Sequence, residues 1–588
     1  MFLRKSLSNN KIYLSIVHGY RDKENKVKQK TILKLGYLDE LEKIYDNPIS
    51  HFKEVAKQMT AEYNDEEKFD FNIKTNRDIE DGELKNLGYF AIKKVYNELT
   101  LKEFLDNNQK KLKIEYKLDE ILKLLTFNRI LFPSSKKEAF DNKNIFFEKF
   151  DFSLDDVYRS LDYFNNLKDD LIKHVNLGVE SIYTRNKELA YYDVTNYYFE
   201  IPYDDQNTYD EDNNLIKKGF RKKGMSKEHR PNPIVQMGLL MDNQGIPITF
   251  NLFEGNESEK LSLLPTIKEV KNQNDIDRII VVADRGLNTS DNTFFLAGFN
   301  DDEIKRDGYV FGQTVLGGNK EFKEWVLKQE DYINDKITEK SEQVTFRHKS
   351  RVYARKVTIK KDGKRNQEIV TYEKQMVYYS SKYAAKQKKE RDLVIAKAKD
   401  LIAKPGKYNK STAYGAAQFI NNLKFIKTTG EVATSQELSL KEDKIKELEK
   451  YDGYYSIVTS ERNLSDLEIR NIYTGLWEIE ESFKIIKSEF KARPVYLSVK
   501  EHIEAHFLIC FLSLVIFRLL EIKLDKKYTV KQIRDTLINY GCTYLEQNVY
   551  AILEKDKHCL DELAKLFGLD LSGKYIKLPK IKKILHLK

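Results

Sequence analysis

ELAYYDVTNYYFE, residues 188–200, is the stretch that decides the fold. Tyr and β-branched residues dominate it, which is strand composition, and Asp193 stands in its middle. Upstream, from about 84 to 184, the pattern is helical. Loops interrupt it near Phe132-Pro133-Ser134-Ser135 and Phe152-Ser153, where Ser153 is a plausible N-cap. Downstream, PIVQMGLLMD (233–242) and IPITFNLFEG (246–255) read as two further strands joined by the turn Asn243-Gln244-Gly245. LSLLPTIKEVK (261–271) reads as a helix with Pro265 in its first turn. RIIVVADRG (278–286) is an apolar, β-branched run suited to a buried strand, with Asp284 at its C-terminal end. DGYVFGQTV (307–315) is a fifth strand.

A third acid lies far along the chain in YTGLWEIEESFKIIK (473–487). Tyr473, Glu480 and Lys487 are seven apart, almost two helical turns, so a single helix over about 465–490 would put them nearly on one line. Ile472, Leu476, Ile479, Phe483, Ile486 and Phe490 form a separate apolar stripe. Glu480 follows Ile479 directly and so sits at the edge of the buried face, where a carboxylate can be held and still meet a polar cleft.

Outside these segments, 12–19 and 27–36 read as two strands joined by a polar turn, with Lys26, Lys28 and Lys30 on one strand face. Residues 316–450 read as a β-rich interruption, with a hairpin signal at Lys361-Asp362-Gly363 and a basic helix over 384–404. YDGYYSIVTS (451–460) returns to strand, and the tail after 526 is helical and basic. The expected organisation is 1–83, 84–184 (DNA binding or dimerisation), a catalytic core in two parts over 185–315 and 451–525, the insertion, and a tail over 526–588.

The chain has 588 residues, 41% hydrophobic and 33% charged, with formal net charge +9; this permits a polyanionic partner without proving one. FLICFLSLVIF (507–517) is too short to span a bilayer and reads as a buried helix, so no membrane partner is expected. The N-terminus shows no secretory pattern, and Cys510, Cys542 and Cys559 show no C-x-x-C spacing, which fits a reducing cytoplasm. No P-loop motif occurs. Trp477 is expected in the core or cleft wall. Trp325 is expected to pack, with base stacking the alternative. His502 and His506 are expected to be structural.

Phosphodiester cleavage needs an activated water and a stabilised leaving oxygen, which two Mg²⁺ ions roughly 4 Å apart supply. Mg²⁺ prefers oxygen ligands, so Asp193, Asp284 and Glu480 meet that need without His or Cys. Asp193 would bridge both ions and each other acid would hold one; Mn²⁺ would substitute for Mg²⁺. Lys487 and Tyr473, with Lys484, are placed to reach phosphates flanking the cut. The loop 216–230 carries seven cations, among them Arg221, Lys222, Lys223 and Arg230, and suits DNA tracking. Arg285 lies beside Asp284.

The order strand, strand, strand, helix, strand and later helix matches the ribonuclease H-like fold, an α/β core with a mixed sheet and flanking helices. There the acids come from the middle of the first strand, the end of the fourth and a later helix. The blocks YYDVTNYYFE, KGMSKEHRPNPIVQMGLLMDNQGIPI, VVADRGLNT and KARPVYLSVKEHIEAHFLICFLSL resemble the DDE transposases of bacterial insertion sequences. The subgroup resembled has a Tyr-x2-Arg-x3-Glu-x6-Lys signature and a β-rich insertion before the third acid. Here that signature is Tyr473, Leu476, Glu480 and Lys487, with leucine at the arginine position. The resemblance implies binding of terminal inverted repeats, hydrolytic nicking of element ends and attack of the 3′-hydroxyl on target DNA. It also implies a homodimer on double-stranded DNA. A domesticated DNA-binding protein, or a nuclease of the same fold without strand transfer, are the alternatives.

Overall fold

The computed structural model describes residues 1–8, 11–21, 27–65, 84–228, 230–274, 276–298, 306–339, 342–359, 367–404, 415–425, 432–545, 548–553 and 557–587. Lys26 and the hairpin signal at 361–363 lie outside the described residues. The chain divides into two compact units, Met1–Glu80 and Asp81–Lys588.

In the first unit three antiparallel strands, β1 (Phe2–Ser8), β2 (Lys11–Arg21) and β3 (Val27–Tyr37), form a sheet in that order. Helix α1 (Pro48–Asp65) supplies Phe52, which packs with Leu14 and Leu41. Strand β1 has no counterpart in the sequence reading; FLRKSLS mixes charge into its alternation and shows no strand run. Lys28 and Lys30 are exposed on β3.

The second unit begins with helices α2 (Tyr89–Glu98), α3 (Leu101–Gln109), α4 (Leu118–Leu131), α5 (Leu154–Asn166) and α6 (Lys168–Ile182). Ser153 caps α5 in a reciprocal capping box with Asp156.

A nine-stranded mixed sheet follows. Its strands are β4 (Leu189–Tyr198), β5 (Ile234–Asp242), β6 (Pro247–Glu254), β7 (Ile280–Ala283), β8 (Gly308–Gln313), β9 (Ile333–Glu339), β10 (Glu342–Ile359), β11 (Gln367–Tyr379) and, after a separate hairpin of β12 (Ile420–Phe425) and β13 (Val432–Leu440), β14 (Tyr454–Thr459). The order across the sheet is β9-β10-β11-β14-β8-β7-β4-β5-β6. β4, β5 and β6 run as an antiparallel meander, while β7 pairs parallel to both β4 and β8. Helices α7 (Leu263–Asn274) and α8 (Ser290–Ala297) cover one face, packing on Ala190, Tyr192 and Val194. Pro265 falls in the first turn of α7, where its missing N–H costs nothing.

Three strands of the segment read as an interruption, β9, β10 and β11, extend this same sheet through β14. Periodicity reports strandedness but not the pairing partner, so the sequence could not show that continuity. After α9 (Lys320–Leu327) and the basic helix α10 (Ser381–Ala403), α11 (Glu442–Glu449) leads into β14. Trp325 packs with Phe322 beneath the cations of Lys349 and Arg351.

The apolar run at 507–517 lies inside α14 (Lys500–Lys523), a helix long and apolar enough to cross a membrane by composition, with 94% of its apolar window buried inside the protein. The tail adds α15 (Val530–Asn539) and further helices. It also adds three short strands that form a four-stranded sheet with Leu84–Asn86. Strands of three or four residues are below what a pattern reveals.

A buried ion pair locks the meander to the helices. Arg185 donates from Nε to Asp242 Oδ2 at 2.7 Å and from Nη1 to Asn176 Oδ1 of α6 at 2.5 Å. Its Nη2 donates to the carbonyls of Ile246 and Pro247, and Asp242 Oδ1 accepts the turn amides of Gln244 and Ile246. Gly245 takes φ +86°, the left-handed conformation that closes this turn. Both charged side chains are fully buried. Arg185→Leu therefore leaves Asp242 buried and unpaired and is expected to cost about 3–5 kcal/mol in chemical unfolding. A loss under about 1 kcal/mol would show that the pair does not hold the meander.

Candidate active site

Asp193 and Asp284 meet through strand register. β7 and β4 are parallel, with Ile280 opposite Leu189 and Val282 opposite Tyr191. The pairing ends there, and Asp193 and Asp284 each follow two residues further along, where both line one cavity. Asp193 shares the face of β4 that carries Tyr191 and Thr195. Asp284 follows the last residue of β7 and caps the turn Arg285–Leu287, its Oδ1 accepting the Arg285 amide at 2.7 Å. The strand is shorter than RIIVVADRG suggested, which frees Asp284 from the ladder.

Glu480 arrives from the opposite direction. The single helix expected over 465–490 is two α-helices, α12 (Asp466–Thr474) and α13 (Trp477–Lys484), then a π-helical turn over Ile485–Glu489. The break has a tertiary cause. The Tyr191 hydroxyl donates to Ile472 O at 3.0 Å, and it lies where a Cβ on Gly475 would be, 2.0 Å away. Only glycine admits that contact, and the chain turns there. The straight line through Tyr473, Glu480 and Lys487 is thereby lost. The apolar stripe survives, with Ile479, Phe483, Ile486 and Phe490 buried and Ile472 and Leu476 half-buried. Trp477 is 51% exposed rather than core or cleft wall; as the first residue of α13 it lies about 200° around from Ile479.

The segment crosses β4. Tyr191 meets Ile472, and Lys487 Nζ donates to Thr195 Oγ1 at 2.5 Å, with Glu480 between them along the chain. Asp193, Asp284 and Glu480 line one cavity of about 490 Å³, together with Arg285, Tyr383, Lys386 and Tyr473. None of the three acids forms an ion pair with a described residue. The neighbours of Glu480 differ: Glu481 pairs with Arg518 at 3.0 Å and Glu478 with Lys526 at 2.8 Å. Glu480 is exposed to the cavity.

Asp193 is half-buried, and burial pushes its carboxyl up to about 6 against the pull of Lys227 and the Val194 amide; the charge of Asp284 raises it further. Lys227 donates to Val194 O, and Lys487, near both Lys227 and Asp193, is brought down to about 8, chiefly by burial. The Tyr473 hydroxyl is buried, 3.4 Å from Asp284 Oδ1 and 3.1 Å from Tyr455 Oη, and burial raises it. Gly312 of β8 leaves the space it needs, since a Cβ there would lie 2.5 Å from that hydroxyl.

The other predicted contacts divide. Arg221 is bound to Asp205 and to Leu497 O, and Lys222 Nζ donates to Asp205 O; both tie the loop down. Lys223, Lys484, Arg285 and Arg230 are exposed, Arg230 over the Tyr198 ring. Lys386 on the cavity wall escaped the sequence reading, because the basic helix over 384–404 gives no clue to which lysine faces inward. His502 is 3.3 Å from Asp162, and His506 is buried beside Ala492 O.

A divalent cation suits this donor set chemically: hard oxygen ligands, unpaired, with one carboxylate destabilised by burial. The acids line one cavity without closing on a point. Among the described residues no group of three His, Cys, Asp or Glu is drawn together tightly enough to hold a metal ion.

Residues 3–70 match the family described as IS1634 family transposase, N-terminal domain. A comparison with curated proteins found no match.

Because Asp193 binds its proton more tightly folded than unfolded, its contribution to stability is present below about pH 4 and is lost as pH rises through about 6. In chelator at pH 7.5, Asp193→Asn is expected to unfold about 1–2 kcal/mol harder than wild type, and the gap to close towards pH 4. Adding Mg²⁺ should stabilise wild type and not the variant. Equal stability at every pH would show that burial does not strain this carboxylate.

Proposed function

We propose that this chain is an insertion-sequence transposase that cuts the ends of its element and joins them to target DNA at the cavity of Asp193, Asp284 and Glu480. The observation that carries this reading is the convergence on one cavity of three carboxylates without ion pairs, from a strand middle, the end of its parallel neighbour and a later helix. The arrangement β6-β5-β4-β7-β8, an antiparallel meander followed by two strands parallel to its first, supports a ribonuclease H-like core.

Asp193 would be shared between two Mg²⁺ ions and Asp284 and Glu480 would hold one each; Mn²⁺ would serve in their place. When bound, the ions supply Lewis-acid activation of the attacking hydroxyl and neutralise charge at the leaving oxygen. In the first step a water oxygen bonds to phosphorus at the element boundary, and the 3′-oxygen leaves and takes a proton. In the second, that 3′-hydroxyl bonds to a target phosphorus and the target's 3′-oxygen leaves. Tyr473 orients Asp284 through its hydroxyl, a positioning role. Lys487 and Lys227 stand where they can hold the phosphate beside Asp193. Arg285 and Lys386 track the strand across the cavity, and Lys223, Arg230 and Lys484 extend the cationic surface. Two ends must be cut and joined together, so a homodimer on DNA is the assembly proposed.

The test is cleavage of a labelled duplex bearing the terminal inverted repeat, with Mg²⁺. Wild type is expected to nick at the element boundary. Glu480→Gln should lower that rate by about 100-fold or more while still binding, the scale on which lost charge stabilisation acts at a transition state. Undiminished cutting by Glu480→Gln would overturn the assignment.

A further inference from the structure

A second cavity, of about 350 Å³, is lined by Arg129 at the end of α4, by Ser134 and Lys136 just beyond it, and by Lys491 and Arg493 of the segment leaving the π-helical turn. Arg129 and Lys136 are only 7% and 8% exposed. The Arg129 guanidinium donates to the carbonyls of Phe490 at 2.9 Å and Ser134 at 3.3 Å, and its Nε has no partner. Among the described residues the Lys136 ammonium reaches only His506 Nδ1, at 3.4 Å. His506 Nε2 faces Ala492 O at 3.3 Å, which makes Nδ1 the acceptor, and burial keeps the ring neutral. Arg493 pairs with Glu228. Glu138 is the one acid on the lining and is exposed.

Arg129 and Lys136 therefore share a buried site with no carboxylate in ion-pair distance among the described residues. Four other buried cations are matched, Lys93 with Glu148, Lys123 with Asp119, Arg185 with Asp242 and Arg518 with Glu521, while Lys349 is held by the carbonyls of Trp325 and Lys328. Unmatched buried charge is costly, and the two cations repel each other. Burial and Arg129 bring Lys136 down to about 7. An anion with several oxygens would supply the missing charge and accept from Arg129 Nε, Lys136 Nζ and the Ser134 hydroxyl.

The cavity also belongs to the wall of the catalytic strand. The segment that carries Lys491 and Arg493 continues to Val495, whose amide donates to Tyr198 O at the end of β4, and to Leu497, whose carbonyl accepts from Arg221. We propose that this cavity is a phosphate-binding site, and that in the DNA complex a backbone phosphate of the bound strand fills it. The DNA half rests on the transposase reading; the phosphate half stands without it.

The probe is inorganic phosphate, with the full chain and Lys136→Met, at about pH 6.5 where Lys136 holds its proton. Lys136→Met removes a buried unmatched charge, so it should fold and unfold at a higher temperature than wild type in chloride. Phosphate should raise the wild-type midpoint above that in chloride of equal ionic strength and leave Lys136→Met unmoved. Equal stabilisation of both proteins would mean adventitious surface binding and would overturn the site. On the terminal-repeat duplex, Lys136→Met should bind about tenfold more weakly, with the log affinity against log salt slope shallower by about one. Unchanged duplex affinity and slope, with wild-type phosphate stabilisation intact, would make free phosphate the occupant and overturn the DNA half. If wild type is stabilised by phosphate yet never cuts DNA, the transposase chemistry fails and the phosphate site stands.

Discussion

The parallel pairing of β4 with β7 is the constraint on which the site depends. With Val282 opposite Tyr191, Asp193 lies two residues further along β4 and Asp284 just past the end of β7, so the pairing brings both carboxylates to one cavity. Burial raises the proton affinity of Asp193, and the charge of Asp284 adds a smaller push in the same direction. The fold accepts this strain because β4 is held on both sides. β5 pairs along its whole length, and the Arg185–Asp242 lock fixes the meander to α6.

Glu480 is held by a different device. The Tyr191 contact at Gly475 breaks the helix and restarts it as α13, which then anchors through Ile479 and Phe483 and through Arg518 gripping Glu481. The result is a rigid segment with one acid left without an ion pair. The same segment continues through the π-helical turn, which delivers Lys487 to Thr195, and into the loop that walls the cationic cavity. Strand, broken helix and loop thus place unpaired negative and unmatched positive charge on the two sides of the same stretch of chain.

How much of this the sequence revealed follows from the range of each force. β4, β5, β6 and β7 were legible because Tyr, Val and Ile runs are local, and the Asn243-Gln244-Gly245 turn announces its own conformation. The three acids stood out as candidates by context alone. Their shared cavity depends on parallel register, a long-range property that no local pattern encodes. The helix break at Gly475 was hidden for the same reason: its cause, the Tyr191 hydroxyl, binds Ile472 O across 281 residues of chain. Arg221 and Lys222 read as a DNA-facing charge run, yet Asp205 takes both, and charge spacing cannot reveal such a partner.

The proposal that Asp193, Asp284 and Glu480 act as one divalent-metal site when DNA is bound can be tested by anomalous diffraction from crystals of the terminal-repeat complex grown with Mn²⁺. Manganese peaks are expected between Asp193 and Asp284, with Glu480 drawn in as a ligand. Manganese bound elsewhere, or Glu480 still clear of the metal in a complex with the scissile phosphate in the cavity, would contradict it.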